Sequence, residues 1–189
     1  MTLAHLALAL AQRPSHVHIV DLKPIPLAHG HRIRGYDLPG SGVGVGPLGG
    51  FAGYALVGVM NDWGLYKVAL RADSPLGHPA WERPGDLGRE LAQGLGLVLG
   101  DRGFRWVKGV VTPPYRTRGG KVVSTAWREW MGRVRNWIET RFSMMVRSLG
   151  LHRLAPRSYW GLVARVNLIL LAHNLIRSHV LLKMVGVGL

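Results

Sequence analysis

Two short apolar runs, each followed directly by an aspartate, constrain this chain more than any other feature. His-Val-His-Ile-Val leads into Asp21, and Gly-Leu-Val-Leu-Gly leads into Asp101. Short apolar runs of this kind predict buried β-strands. Open α/β sheets place their sites at the carboxyl ends of their strands, so two acids at such ends are expected to meet at one edge.

The rest of the pattern predicts an α/β fold with a mixed sheet flanked by helices. Strands are predicted at residues 17–20, 51–61, 65–72, 95–99 and 106–111, and helices at 84–93, 125–149 and 156–183. The pair 51–61 and 65–72, separated by Asp-Trp-Gly, has the pattern of a hairpin. Residues 23–47 contain Pro, Gly and His without a clean period, so we expect a loop there, and the Gly-rich stretch 40–50 is expected to be a flexible insertion.

One domain is expected over residues 16–189, preceded at residues 1–15 by the tail of a helical region. The chain contains no cysteine, which excludes disulfides and thiolate zinc sites. Residues 162–182 are apolar, but Arg165 and Arg177 interrupt them. An arginine at the centre of a bilayer costs at least about 2.5 kcal/mol, so we expect a buried helix and no membrane span.

The charge of the chain favours a polyanionic partner. There are 24 Lys and Arg against 10 Asp and Glu, a formal net charge of +14. Nucleic acid is the first candidate, and a merely soluble basic surface or an anionic membrane surface are the alternatives.

Glu139 is the third acid in an unusual setting. It lies beside Ile138 at the edge of the apolar stripe of the helix predicted at 125–149, and Arg135 lies one turn earlier on the same face. Carboxylates that pack closely repel one another, and Mg²⁺ or Mn²⁺ relieves that repulsion. Two such ions about 4 Å apart can promote phosphoryl transfer. The alternative is structural, because an aspartate after a strand is often a turn residue or a helix cap.

Five local segments, the last of them Ala-His-Asn-Leu at 172–175, together resemble the insertion-sequence DDE transposases. Residues 20–26, Val-Asp-Leu-Lys-Pro-Ile-Pro, resemble the segment that carries the first aspartate of that family, and residues 101–104, Asp-Arg-Gly-Phe, resemble the second. Thr-Pro-Pro at 112–114 is similar to the stretch before the family's basic loop. Residues 135–143 are similar to the "R-x-x-I-E-x-x-F" segment that carries the glutamate. An ordered set of motifs is more specific than any one of them.

The resemblance, which covers roughly residues 16–180, implies a ribonuclease H-like fold and DNA cleavage followed by strand transfer. It implies that Asp21, Asp101 and Glu139 hold two Mg²⁺ or Mn²⁺ ions, and that Arg135 contacts a phosphate. The implied partner is double-stranded DNA, bound by a homodimer, in a bacterial cytoplasm close to the nucleoid. The expected DNA-contacting residues are Arg116, Arg118, Lys121, Arg128, Arg135 and Arg141.

Three hypotheses follow from these patterns. The first is an active metal-dependent transposase. The second is a DNA-binding remnant without catalysis, which Leu22 favours because many relatives have a small hydroxyl residue there. The short segment at residues 1–15 also favours it, because relatives carry a longer N-terminal DNA-binding domain. The third is a ribonuclease H-like nuclease unrelated to transposition, against which the segment 135–143 argues.

Overall fold

The computed structural model describes residues 5, 9, 11, 15–35, 38–46, 49–67, 96–105, 107–113 and 125–184. The strands are β1 (Val17–His29), β2 (Gly42–Gly46), β3 (Gly49–Asn61), β4 (Tyr66–Lys67), β5 (Leu97–Gly100) and β6 (Val110–Val111), and the long helices are α1 (Thr125–Ser148) and α2 (Tyr159–Met184). Short 3-10 segments cover Gly30–Gly35 and Arg102–Phe104. The helix predicted at 84–93 and the basic loop at 114–123 lie outside the described residues.

The six strands that the structure describes form one sheet, and the prediction that it is mixed is confirmed. Its order is β2-β3-β1-β5-β6, with β4 also paired to β3. β1 runs antiparallel to β3 and parallel to β5, and β6 continues the parallel part. The hairpin around Asp62, Trp63 and Gly64 is confirmed by the antiparallel pairing of β3 with β4.

The prediction that β1 ends at Val20 was wrong, because the strand continues to His29. Its pairing with β5 stops at Val20, whereas its pairing with β3 runs on to His29 and includes Pro24 and Pro26. Prolines cannot donate to a strand ladder and are tolerated where one side of the strand is an edge. The sequence pattern shows the prolines but not that one edge is open here.

The Gly-rich stretch was also predicted wrongly as a flexible insertion. Residues 42–46, Gly-Val-Gly-Val-Gly, form the edge strand β2, with register Gly42↔Gly53 to Gly46↔Gly49. Val43 and Val45 are exposed there. The partner strand supplies the backbone hydrogen bonds, so glycines with little side-chain packing still form a strand.

Both long helices pack on the same face of the sheet. Their periodic apolar positions cover Ile19, Ile25 and the even positions of β3, forming one core with Ile138, Phe142, Met145, Leu162, Val166 and Leu170. A smaller core on the opposite face contains Val20, Val57, Val59, Val98, Phe104 and Val107. The alternation along β1 therefore assigns its odd positions, Asp21 included, to the helix-covered face.

The boundaries of α1 and α2 agree closely with the predicted ones. α1 ends at Ser148, and the amide of Leu151 donates to the carbonyl of Met145 across Gly150, which has a φ of 73°. The left-handed conformation at Gly150 ends the helix and favours a residue without a side chain. α2 is long and apolar enough to span a membrane by length and composition, and six of its residues are buried in this fold.

Candidate active site

Asp21 and Asp101 come to the same edge and the same face of the sheet. β1 and β5 pair in parallel with register Ile19↔Leu99 and Val20↔Gly100, so Asp21 is the next residue of β1 and Asp101 directly follows the last residue of β5. Neighbouring strands lie about 4.8 Å apart, and opposite residues of a parallel pair project on the same side. The backbone thus sets the two carboxylates side by side under α1.

Each aspartate also has a local structural role. One carboxylate oxygen of Asp101 accepts a hydrogen bond from the amide of Gly103 at 2.8 Å and caps the 3-10 segment Arg102–Phe104. The Oδ1 atom of Asp21 accepts from the amide of Leu22 at 2.8 Å. The structural alternative raised from the sequence, an aspartate that serves as a cap, therefore applies to Asp101. It does not exclude a second role, because a carboxylate has further lone pairs.

A cavity of about 10 Å³ lies between the two strand ends and α1. The two aspartates line it from the sheet, and Met131, Val134, Arg135 and Ile138 line it from the helix. Its volume accommodates about one water-sized particle. The lining is apolar apart from the two aspartates and the half-exposed Arg135.

Glu139 is close to this cavity but does not line it. Its Oε1 atom accepts a hydrogen bond from Arg135 Nη2 at 3.3 Å, and both side chains are about half exposed, at 55% and 50%. An exposed ion pair of this geometry stabilises a helix by about 0.3–0.5 kcal/mol. Glu139 is therefore held away from the aspartates only weakly.

The pKa of Asp21 is raised from 3.8 to about 6. Burial is the largest cause, and the charges of Asp101 and Glu139 add to it, while the hydrogen bond from Leu22 and the charge of Arg135 oppose it. Asp21 thus lies within electrostatic reach of both other acids and of Arg135. We call these four residues the carboxylate edge.

The donor set of the carboxylate edge fits a divalent cation in part. Asp21 and Asp101 supply hard oxygen ligands side by side, with a desolvated, mutually repelling charge that a cation would compensate. Among the residues that the structure describes, no three His, Cys, Asp or Glu side chains converge closely enough to hold a metal ion. Glu139 would complete the set only after releasing Arg135.

Tyr66 is a neighbour of Asp21 that the sequence pattern did not identify. Gly58 pairs with Asp21 across the strands, and a Cβ there would lie 2.9 Å from Tyr66 Cε1 and 2.7 Å from Phe142 Cζ. Both rings therefore pack over Gly58, 5.5 Å apart between centroids. Burial and the charge of Asp21 raise the pKa of Tyr66 above its usual range, while Arg141 lowers it.

Beyond Tyr66 lies a second polar group, built around the turn between β3 and β4. The Oδ1 atom of Asn174 accepts from the amide of Tyr66 and its Nδ2 donates to the carbonyl of Tyr66, both at 2.9 Å. The Nε2 atom of His173 donates to the carbonyl of Gly64 at 3.1 Å. These bonds attach α2 to the hairpin. We call residues 61–66 with Arg141, His173, Asn174 and Arg177 the hairpin-turn cluster.

The predicted DNA-contacting residues lie in different parts of the chain and differ in exposure. Arg116, Arg118 and Lys121 lie outside the described residues. Arg128 is exposed near the start of α1, and Arg135 is at the carboxylate edge. Arg141 is half-buried in the hairpin-turn cluster, near Gly64 and Tyr66.

The fold and site define a protein with an α/β mixed sheet and an acidic strand edge. No family model, curated protein or solved structure matches this chain.

Proposed function

We propose that this chain is the ribonuclease H-like catalytic domain of a DNA transposase, acting by metal-dependent phosphoryl transfer. The observation that carries the proposal is the strand register that places Asp21 and Asp101 side by side, facing Arg135 across a small cavity. The resemblance of the segments around these residues to insertion-sequence transposases supplies the reaction class.

Asp21 and Asp101 would hold the divalent ions, with Glu139 as the third ligand. Two Mg²⁺ or Mn²⁺ ions bound there would polarise a phosphodiester and activate the attacking oxygen. Arg135 is within reach of both Asp21 and Glu139 and is the side chain positioned to contact a DNA phosphate. Apolar residues of α1 and β1 exclude bulk water from the buried side of the cavity.

A DNA-binding remnant without catalysis is the second candidate. The observation that favours it is the ion pair of Glu139 with Arg135, which leaves two carboxylates where the family has three. Because this ion pair is weak, the active transposase and the remnant differ in whether binding of DNA or metal separates Glu139 from Arg135.

Mn²⁺-dependent nicking of supercoiled plasmid tests the proposal. Asp101→Asn removes the charge but keeps the cap, because Asn serves at this position as well as Asp. We expect nicking by the unaltered protein and a loss of at least about 100-fold in Asp101→Asn and in Glu139→Gln. Glu129→Gln, an exposed change on the same helix, is the matched control and should nick normally.

The second readout separates the two candidates. Mn²⁺ should raise the melting temperature of the unaltered protein and not that of Asp101→Asn. If neither protein nicks and Mn²⁺ has no effect, while both bind DNA in a salt-sensitive way, the active transposase is excluded and the remnant is supported.

A further inference from the structure

Two arginines from different helices converge on the same glycine in the hairpin-turn cluster. A Cβ on Gly64 would lie 3.3 Å from Arg177 Nε and 3.4 Å from Arg141 Nε. The two Nε atoms are therefore no more than about 7 Å apart, a span that the oxygens of one phosphate can bridge. Gly64 has a φ of 79°, which favours a residue without a side chain, and the absence of a Cβ lets both guanidinium groups approach the turn.

Among the residues that the structure describes, no acidic side chain compensates the positive charge of this pair. Neither arginine is ion-paired within the described part of the chain, and the buried Nε of Arg141 has no hydrogen-bond partner there. Arg177 donates from Nε to the carbonyl of Trp63 at 3.0 Å, which uses one of its five donors. Burial, and then the charge of Arg141, lower the pKa of Arg177.

The backbone amides of residues 63–65 are already used as donors and are not available to bind an anion. The amides of Trp63 and Leu65 donate to Asn61 Oδ1, and the amide of Gly64 donates to the carbonyl of Asn61. These backbone donors are used, so the guanidinium groups are the donors left for a ligand. Asp62 lies in the same turn but is not within ion-pair distance of either arginine.

We infer that Arg141 and Arg177 form an anion-binding site at this turn and that it takes a phosphate of the DNA backbone. Two guanidinium groups held in fixed positions suit the forked geometry of a phosphate. The net charge of +14 favours a polyanion as the source. The identity of the anion as DNA rests on the proposed function, whereas the site itself does not require the carboxylate edge to be active.

The first arm of the test uses inorganic phosphate as the probe. Thermal unfolding is measured in phosphate and in chloride of equal ionic strength. We expect phosphate to raise the melting temperature of the unaltered protein by about 2–5 °C and to have little effect on Arg141→Gln. Arg165→Gln, an exposed arginine on α2, is the control and should respond like the unaltered protein.

The unfolding temperature of Arg141→Gln in chloride also distinguishes an anion-binding role of Arg141 from a purely structural one. Because the Nε of Arg141 has no partner and its charge repels Arg177, the variant should unfold in chloride at the same or a higher temperature. A lower melting temperature in chloride, or a full response of Arg141→Gln to phosphate, would overturn the site. Asp62→Asn should strengthen the phosphate response, because it removes the nearby negative charge.

The second arm uses a 20-base-pair duplex in EDTA, where no nicking occurs. Arg141→Gln and Arg177→Gln should each weaken binding and reduce the slope of log K against log salt by about 0.9, the value for one phosphate contact. Unchanged slopes with a positive first arm would overturn DNA as the ligand and indicate free phosphate. If the unaltered protein does not bind DNA, the proposed function is wrong. The phosphate measurement of the first arm then still shows whether Arg141 and Arg177 bind an anion.

Discussion

The carboxylate edge and the hairpin-turn cluster meet at Tyr66, which belongs to the cluster and is a neighbour of Asp21, and the two regions carry opposite excesses of charge. At the carboxylate edge three acids face one arginine, and the pKa of Asp21 is raised to about 6. In the hairpin-turn cluster two arginines surround His173, and burial is the main reason that its pKa is lowered to about 4. Within the described part of the chain, each region carries a net charge that neighbouring side chains do not neutralise.

The two regions also differ in what holds them in place. The carboxylate edge is positioned by strand register, and its side chains bond to neighbours in sequence. The hairpin-turn cluster is held by side chains of α2 that bond to backbone atoms of the turn. A residue at the carboxylate edge can therefore change without loss of architecture, whereas Asn174 cannot.

The largest effect is expected from Asn174→Ala. It leaves the buried amide and carbonyl of Tyr66 without partners, which should lower the free energy of unfolding by about 2–4 kcal/mol. Urea denaturation measures it. Asn136→Ala, at an exposed position of α1, is the control and should change stability by less than about 0.5 kcal/mol. Equal effects of the two substitutions would show that the bonds to Tyr66 contribute nothing specific.

Gly58→Ala tests the contact between the two regions. Its Cβ would lie inside the packing distance of Phe142 and Tyr66, so we expect a loss of about 1–3 kcal/mol from overpacking. Gly132→Ala has open space around it within α1 and should instead gain about 0.5–1 kcal/mol. A neutral Gly58→Ala would mean that the rings over Asp21 move freely.

His173→Gln should remove part of the acid sensitivity of the protein. Because the folded-state pKa lies below the ordinary 6.5, the unfolded chain binds more protons between pH 6.5 and about 4, and stability falls as the pH falls through that window. We expect the decline from pH 6.5 to 4.5 to be smaller in the variant by about 1–2 kcal/mol. Urea midpoints across this range measure it, and parallel curves for the two proteins would contradict it.

The carboxylate of Asp21 should affect the pH dependence of stability in the direction opposite to His173, and Asp21→Asn should remove this effect. The folded-state pKa of about 6 exceeds 3.8, so the native state binds more protons between those values and stability falls as the pH rises. The variant should lack this decline and be more stable at pH 7 by about 1 kcal/mol, a value discounted for the partial exposure of Asp21. Glu129→Gln should follow the unaltered protein. A less stable Asp21→Asn at pH 7 would show that the carboxylate is already compensated.

The sequence predicted the carboxylate edge better than the hairpin-turn cluster. Asp21 and Asp101 come directly after short apolar runs that a local sequence pattern identifies as strands. The period of apolar residues in α1 predicts which face of the helix carries Arg135 and Glu139. The contacts of Arg141 and Arg177 with Gly64 depend on how two helices meet a turn far away in the chain, which no local pattern encodes. The prolines of β1 led to a predicted strand end that was too early for a related reason. Only the pairing of the described strands shows which edge of β1 lacks a partner there.

The side-chain amide of Asn174 bonds to the backbone of Tyr66, the first residue of β4, from 108 positions further along the chain. During synthesis, β3 and β4 would leave the ribosome well before their partner, with the turn held only by local bonds. A contact between residues so far apart in sequence forms slowly, and until it forms the exposed strand edges are prone to associate with other chains. A message that ends before α2 would therefore produce a polypeptide that aggregates, not a smaller working domain.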